Sequence, residues 1–589
     1  MKRTPPHATL NGMSRKVADQ LVGMLADAGI RRMYGIVGDS LNPVIEALQR
    51  DGRIRWIHVR HEETAAFAAG AEAQITGQTA CCSGSSGPGN MHLINGLYDA
   101  WRSAAPVFAL ASHIPLSQVG GDYFQETHPQ IFFRECTAFC ELVSEPSQAA
   151  AITGTALRKA RETPGVGMIV LSGDVAQLPA DEGAPAAGTP RGGGLLTPSP
   201  HDLRELAALI NSRKRVTFFC GAGCAGAREP IVALARKIGA PIAYTFRGKD
   251  IMEKDNPCAV GMTGLLGWGD ALQAMHDCDL LVMWGTDFPY RPFLPDGRKV
   301  PIAQIDRDAS RLGRRARLAL GIQGDAAATA LELLPGIESG RSSEHLERSL
   351  SRHRKLIRKL FAYVRHVNEK APLRPEYITR VVSDYAEPDA IFTIDTGTPD
   401  IWAARYLDAG GARRVIGSFK HGSMACGLAM AIGAQAACPK RQVIALCGDG
   451  GLTMLPGDLL TLLQENLSVK ILVYDNSALD FINMEMRAAG ILPTHTALRN
   501  PDLAAMAQAM GLYAERLETP AETVPAVRRW LRQPGPALLD AVVDAHALAL
   551  PPDITLMQAY GFAAALTKHA LEGELGVVRR LLRHNLRLF

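Results

Sequence analysis

Cys447 to Gly451 reads CGDGG, and 24 residues separate Gly450 from Asp475-Asn476. Those residue types suit a hard divalent cation held against a diphosphate. Asp449 offers a carboxylate oxygen and Asn476 an amide oxygen, while Gly448, Gly450 and Gly451 let backbone approach phosphate closely. A Gly-Asp-Gly turn alone is common, so the elements around it decide. VIALCGDGG is a β-branched apolar run ending in the turn, which predicts a buried strand. A helix over Leu455–Glu465 fills the gap, and VKILVYDNS then runs as the next parallel strand. That returns Asn476 to the C-terminal edge of the sheet, where α/β folds place ligands.

A second chemical candidate lies near the start. IRWIHVRHEETAAFAAGAEAQITG predicts a strand ending near Arg60 and an alanine-rich helix from about Glu62, which puts that carboxylate at a helix start beside a sheet edge. ACCSGSSGPGNMHLINGLYDA predicts a strand, a glycine turn over Gly84 to Gly89 and a helix from Asn90. In the middle of the chain, CGAGCAGA places Gly221, Gly223 and Gly226 in a G-x-G-x-x-G after a strand and before a helix, as a dinucleotide fingerprint requires. The following strand, APIAYTF, runs into Phe246-Arg247 without an acidic residue for a nicotinamide ribose, which disfavours NAD.

The 589 residues, 47% hydrophobic and 21% charged, describe an ordinary folded chain of several domains. A net charge of +4 is too small at this size to argue for nucleic acid. Eleven cysteines, an odd count with no C-x-x-C, fit free thiols in a reducing compartment. Met1 to Ser14 has no apolar core and no later run approaches the ~18 apolar residues of a membrane span, so a cytoplasmic location is expected. Alternating strand and helix patterns predict an α/β fold of three doubly wound parallel-sheet domains, one architecture used three times. The boundaries fall at 13–185, 195–345 and 370–548, with a tail over 549–589. On a helical wheel, LGVVRRLLRHNLRLF (Leu575–Phe589) separates its leucines and valines from Arg579, Arg580, Arg583, His584 and Arg587. That cationic amphipathic pattern suits an interfacial helix at a lipid surface, or one docked on its own protein.

The G-D-G and D-N spacing resembles the signature of thiamine diphosphate (ThDP) enzymes, and HEETAAFAAG resembles their HE(x)2AA(x)3G stretch. FQETHP, FRGKD, GMTGLLGWG, WGTDFPYR, QIDRD and the tail extend the likeness to the quinone-linked pyruvate dehydrogenases (ubiquinone-dependent pyruvate oxidases) over nearly the whole chain. The resemblance implies pyrimidine-binding, FAD-binding and diphosphate-binding domains in that order. It implies that Glu62 hydrogen-bonds the aminopyrimidine N1′, and that Asp395, Gly397, Thr398, His421, Ser423 and Met424 line the ThDP, with the methionine enforcing its bent shape. It implies Mg²⁺ on Asp449, Asn476 and the carbonyl of Ala478, and flavin on Arg247, Gly264, Thr286 and Asp306 beside the glycine turn. Phe124 and Gln125 would line the substrate side, and Phe481 would approach the flavin. Two departures stand out: Asp475 replaces the first Asn of an N-N pair, and Asp480 replaces a Gly, which sets a charge beside the flavin path.

The activity so implied is oxidative decarboxylation of pyruvate to acetate and CO₂, with electrons passing through the ThDP enamine and FAD to ubiquinone. The implied enzyme is a homotetramer, peripheral on the inner face of the cell membrane, with ThDP held between two subunits. Its rivals are an acetolactate synthase-like carboligase, an oxygen-using pyruvate oxidase and a non-catalytic scaffold.

Overall fold

The computed structural model describes residues 15–547, apart from 163–164, 182, 184–193, 341 and 366, together with Lys568. The amphipathic tail Leu575–Phe589 lies outside the described residues. Three sheets follow one another along the chain. The first contains β1 (Arg32–Gly35), β2 (Arg55–His58), β3 (Ala80–Gly84), β4 (Val107–His113), β5 (Phe139–Val143) and β6 (Val166–Ser172), in the order β2-β1-β3-β4-β6-β5. The second contains β7 (Val216–Cys220), β8 (Ile242–Tyr244), β9 (Ala259–Met262), β10 (Trp268–Gly269), β11 (Leu280–Trp284), β12 (Ile302–Asp306) and β13 (Leu320–Gln323), in the order β10-β9-β8-β7-β11-β12-β13. The third contains β14 (Ile391–Ile394), β15 (Arg414–Gly417), β16 (Val443–Gly448), β17 (Lys470–Asp475), β18 (Tyr513–Leu517) and β19 (Ala537–Val542), in the order β15-β14-β16-β17-β19-β18.

The first and third sheets are parallel throughout and share one strand order. The middle sheet corrects the expectation of one architecture used three times. Apart from its short antiparallel edge strand β10, its order is the 3-2-1-4-5-6 winding of dinucleotide-binding domains, which reverses between β7 and β11. Parallel strands need covering on both faces, and the core strands are accordingly almost wholly apolar: Val107–His113 and Val443–Cys447 are buried at every position.

The outer domains are joined by helix packing. The Glu62–Thr76 helix is capped by His61, whose Nδ1 accepts from the Glu63 N–H at 3.2 Å, carries two acids in its first turn and ends at Gly77 with φ +68°. Its alanines let it lie close against the Cys426–Ala437 helix of the third domain, so close that a Cβ on Gly433 would stand 2.0 Å from the Ala68 carbonyl oxygen. The seam is tied by Asp458, which accepts from Thr64 Oγ1 (2.6 Å) and the Arg60 N–H (2.8 Å), and by Glu465, which accepts from the His58 N–H (3.0 Å). One hydrophobic core consequently runs through both domains.

Candidate active site

The third domain builds its site where β14 and β16 end, at the point where the strand order reverses. Gly397, with φ +135°, turns the chain into the Thr398–Tyr406 helix. Asp395 at the end of β14 is fully buried, and its Oδ2 has no hydrogen-bond partner among the described residues. Burial raises its carboxyl to about 7. A Cβ on Gly451 would stand 1.8 Å from that oxygen, and one on Gly450 would stand 3.3 Å from Met424 Cε, so these glycines are fixed by close approach. Asp395, Met424 and the Gly448–Gly451 turn therefore meet, as the sequence reading expects.

Asp449 is buried beside Asp475, and the Asn500 amide bridges them: Nδ2 donates to Asp449 Oδ2 at 2.8 Å and to Asp475 Oδ1 at 3.0 Å. Burial and the neighbouring Asp475 push the Asp449 carboxyl up to about 6. Two adjacent buried carboxylates bridged by a neutral amide, with further hydrogen bonds from the Gly450 and Ser477 N–H groups, form a donor set a divalent cation would compensate at Asp449, so the residues fit Mg²⁺. Asp475 is also offset by Arg516, whose Nη1 lies 3.6 Å from Asp475 Oδ2 and 2.5 Å from Asp540 Oδ2. Asn476 Oδ1 accepts from the Ala478 N–H (3.1 Å), and the Ala478 carbonyl accepts from the Asp480 N–H (2.9 Å). Each oxygen keeps a lone pair for a cation.

Helix placement here differs from expectation. Pro456-Gly457 forms a 3₁₀ turn over Pro456–Asp458, and the helix runs Leu459–Gln464 rather than from Leu455. Asp480 also departs from its expected place, since it is buried at the start of the Asp480–Ala488 helix and faces Arg487 and Asn483 rather than the open cleft.

In the first domain, the carboxylate of Glu62 is 6% exposed, and its Oε2 lies 2.9 Å from His92 Nδ1. The His92 ring stacks on His61 with centroids 4.3 Å apart. Gly89 faces the same carboxylate, where a Cβ would stand 2.9 Å from Glu62 Oε1. Gln125, at φ +63°, accepts from Ser86 Oγ through Oε1 at 3.0 Å, while Phe124 is 78% exposed. Among the described residues, no hydrogen bond or ion pair joins the Glu62 carboxylate to the third domain.

Near the site, the Ile94–Ser103 helix adds polar ties between these domains. Asn95 Nδ2 donates to Glu63 Oε1 (2.7 Å) and Ser423 Oγ (2.8 Å), and its Oδ1 lies 2.8 Å from His421 Nε2. Ser418 Oγ donates to Asp99 Oδ1 (2.8 Å) and accepts from the N–H groups of Gly422 and Ser423 (3.0 Å each), which fixes the turn leading to Met424. His92, Asn95 and Asp99 were missed by sequence reading. Their spacing of three and four on one predicted helix was the available signal.

A cleft of about 1080 Å³ opens between the middle and third domains. Its size suits a dinucleotide rather than a small acid alone. The middle-domain wall includes Gly223, Arg247, Gly264, Thr286 and Asp306, and the third-domain wall includes Gly397, Asp400, Phe419, Lys420, Phe481 and Glu485. Gly221 and Gly223 press on the chain at Gly285, where Cβ atoms would stand 2.7 Å away from backbone, and Gly226 takes φ +77°. Gly223 lies within a 3₁₀ turn, Ala222–Cys224, and the helix starts only at Arg228. Burial raises the Asp306 carboxyl and lowers the Arg247 guanidinium, which donates to the Ser103 carbonyl at 2.9 Å. A half-buried guanidinium and a strand-end carboxylate on one cleft of mixed polar and apolar lining fit the phosphate and ribose parts of a flavin dinucleotide.

Three models of thiamine pyrophosphate enzymes match the chain: the N-terminal TPP binding domain over 15–131, the central domain over 203–333 and the C-terminal TPP binding domain over 395–541. A putative thiamine pyrophosphate-containing protein of Bacillus subtilis is 32% identical over 573 residues, 95% of this chain and 97% of its own length. Pyruvate oxidase of Lactiplantibacillus plantarum is 29% identical over 472 residues, 79% of this chain and 77% of its own. The large subunit of acetolactate synthase isozyme 1 of Escherichia coli is 28% identical over 547 residues, 91% and 95%.

Proposed function

The chain belongs to the thiamine pyrophosphate enzyme family, and on that premise we propose that it decarboxylates pyruvate oxidatively to acetate and CO₂, passing the electrons through FAD to ubiquinone. The observation that carries this reading is the cleft, because Gly397 and Phe481 of the third domain share it with Arg247 and Asp306 of the middle one. ThDP, when bound, supplies the electron sink for decarboxylating a 2-oxo acid, and FAD supplies a two-electron acceptor.

The protein's own residues bind and orient. Asp449, Asn476 and the Ala478 carbonyl would hold Mg²⁺, and the Asp395 and Gly448–Gly451 turns would cradle the diphosphate. Met424, held by the Ser418–Asp99 tie, would set the cofactor's bend, and Glu62 would share a proton with the pyrimidine nitrogen. Gln125 and Phe124 would close over the substrate. That the Glu62 carboxylate makes no hydrogen bond or ion pair to its own third domain among the described residues supports a site completed by a second subunit, within a homotetramer. The cationic and leucine-rich faces of Leu575–Phe589 support lipid-surface contact at the inner face of the cell membrane, where ubiquinone is reached.

Acetolactate synthase-like carboligation and oxygen-linked oxidation are the alternatives, favoured by the identities of the relatives named above. The deciding test is the visible spectrum of the reconstituted protein before and after anaerobic pyruvate. Bleaching of the flavin with stoichiometric acetate supports the proposal, whereas pyruvate consumed with the flavin still oxidised and acetolactate formed overturns it. Peroxide released under air, with no ubiquinone reduction, assigns the oxygen-using reaction instead.

A further inference from the structure

Lys420 is the cationic side chain of the third domain that reaches the dinucleotide cleft. Among the described residues it makes no hydrogen bond or ion pair, although it is largely withdrawn from water. Its surroundings are positive: Arg247, Arg311 and Arg102 all act against its charge, and together with burial they push the ammonium down to about 8. The carboxylate that opposes these charges, Asp287, is already engaged, with Oδ2 3.2 Å from Arg314 Nη1 and Oδ1 2.9 Å from Arg315 Nε. An ammonium left unpaired in such a place costs stability in the ligand-free chain, so its compensation comes from the ligand.

The position of Lys420 says which part of the ligand. A dinucleotide that takes electrons from chemistry at Met424 and Gly450 must turn its ring toward the third domain, leaving its phosphates and adenosine to the glycine turn, Arg247 and Asp306. Lys420 belongs to the third-domain wall that such a ring would face, beside Phe419 and four residues before Met424 in the chain, within the field of Arg247 across the cleft. A flavin that takes up two electrons and one proton becomes an anion, so the ring end gains a negative charge during turnover.

We propose that Lys420 is the cation that answers this charge and thereby raises the midpoint potential of the bound flavin. This rests on the reading of the cleft as a flavin site. It makes Lys420 a tuning residue for electron uptake, and a neutral residue at this position would leave a weaker oxidant.

The test uses the full-length protein with ThDP and Mg²⁺ present, as wild type, Lys420→Met and Lys420→Arg. FAD and, separately, ADP are titrated by calorimetry, and the midpoint potential is read by reductive titration against a reference dye. Lys420→Met is expected to bind reduced flavin at least tenfold more weakly relative to oxidised flavin, a fall of about 30 mV for a two-electron couple. ADP affinity is expected to stay within about twofold, and Lys420→Arg to restore most of the potential. Equal loss of ADP and FAD affinity would reassign Lys420 to the phosphates and overturn the proposal, as would an unchanged potential in Lys420→Met with flavin bound. Failure of the wild-type protein to bind FAD at all removes the flavin reading itself and this inference with it. Retention of ThDP binding by Lys420→Met separates these outcomes from misfolding.

Discussion

Glu62, Asp449 and Asp99 show how single side chains divide the labour. Glu62→Gln keeps the shape beside His92 and removes the charge; turnover is expected to fall by at least about 10²-fold in steady-state assays, with ThDP affinity nearly unchanged. Asp449→Ala is expected to do the reverse and abolish Mg²⁺-dependent ThDP binding, read by titration with and without the metal. Asp99 is buried, and its carboxyl is raised to about 6 despite the Ser418 hydroxyl and Arg247. In the unfolded chain it ionises near pH 4, so the unfolded state releases its proton first and Asp99 costs stability as pH climbs from about 4 to about 6. Asp99→Asn accepts the same Ser418 bond without that cost. It is expected to match wild type near pH 4 and to exceed it by up to about 3 kcal/mol at pH 7 in denaturant titrations. At this scale the sequence singled out Asp449 and Asn476 as candidate ligands, because they sit in a spacing with its own signature. Asn500 escaped, since it reaches Asp449 from a loop with no pattern of its own, and so did Lys420, whose meaning depends on which domain faces it.

Among elements, the pair of helices Glu62–Thr76 and Cys426–Ala437 is the most demanding contact. Gly433→Ala would force its methyl group into the Ala68 carbonyl, which can yield only if the helices separate. A loss of about 1–3 kcal/mol is expected in denaturant midpoints, with both outer domains unfolding together because they share one core. Strands were legible from their β-branched apolar runs, and the alanine-rich helix from its cap and its Gly77 stop. Strand order was not, since pattern along a chain fixes which residues pair with a sheet face and says nothing of which strand lies next. That is why the middle domain, with its reversal between β7 and β11, was taken for a copy of its neighbours. Asp480 was misplaced for a related reason: Arg487, seven residues on, draws it to the buried side of its own helix.

For the whole molecule, the lack, among the described residues, of any hydrogen bond or ion pair from the Glu62 carboxylate to its own third domain makes a prediction about assembly. If each site combines the first domain of one subunit with the third of another, mixing Glu62→Gln and Asp449→Ala subunits, each inactive alone, will create sites that carry neither change. Co-expressed chains are then expected to recover up to roughly a quarter of wild-type turnover, whereas sites confined to single chains would recover none. The three-domain plan was visible in the sequence from its glycine turns, while the cleft was not, because it belongs to two domains at once. Its two walls are stitched by Phe246 of the middle domain and Phe419 of the third, whose rings lie 4.2 Å apart between centroids. Parting these domains wets two aromatic faces together, so removing either ring is expected to loosen the two walls of the cleft against each other before it disturbs the fold of either domain.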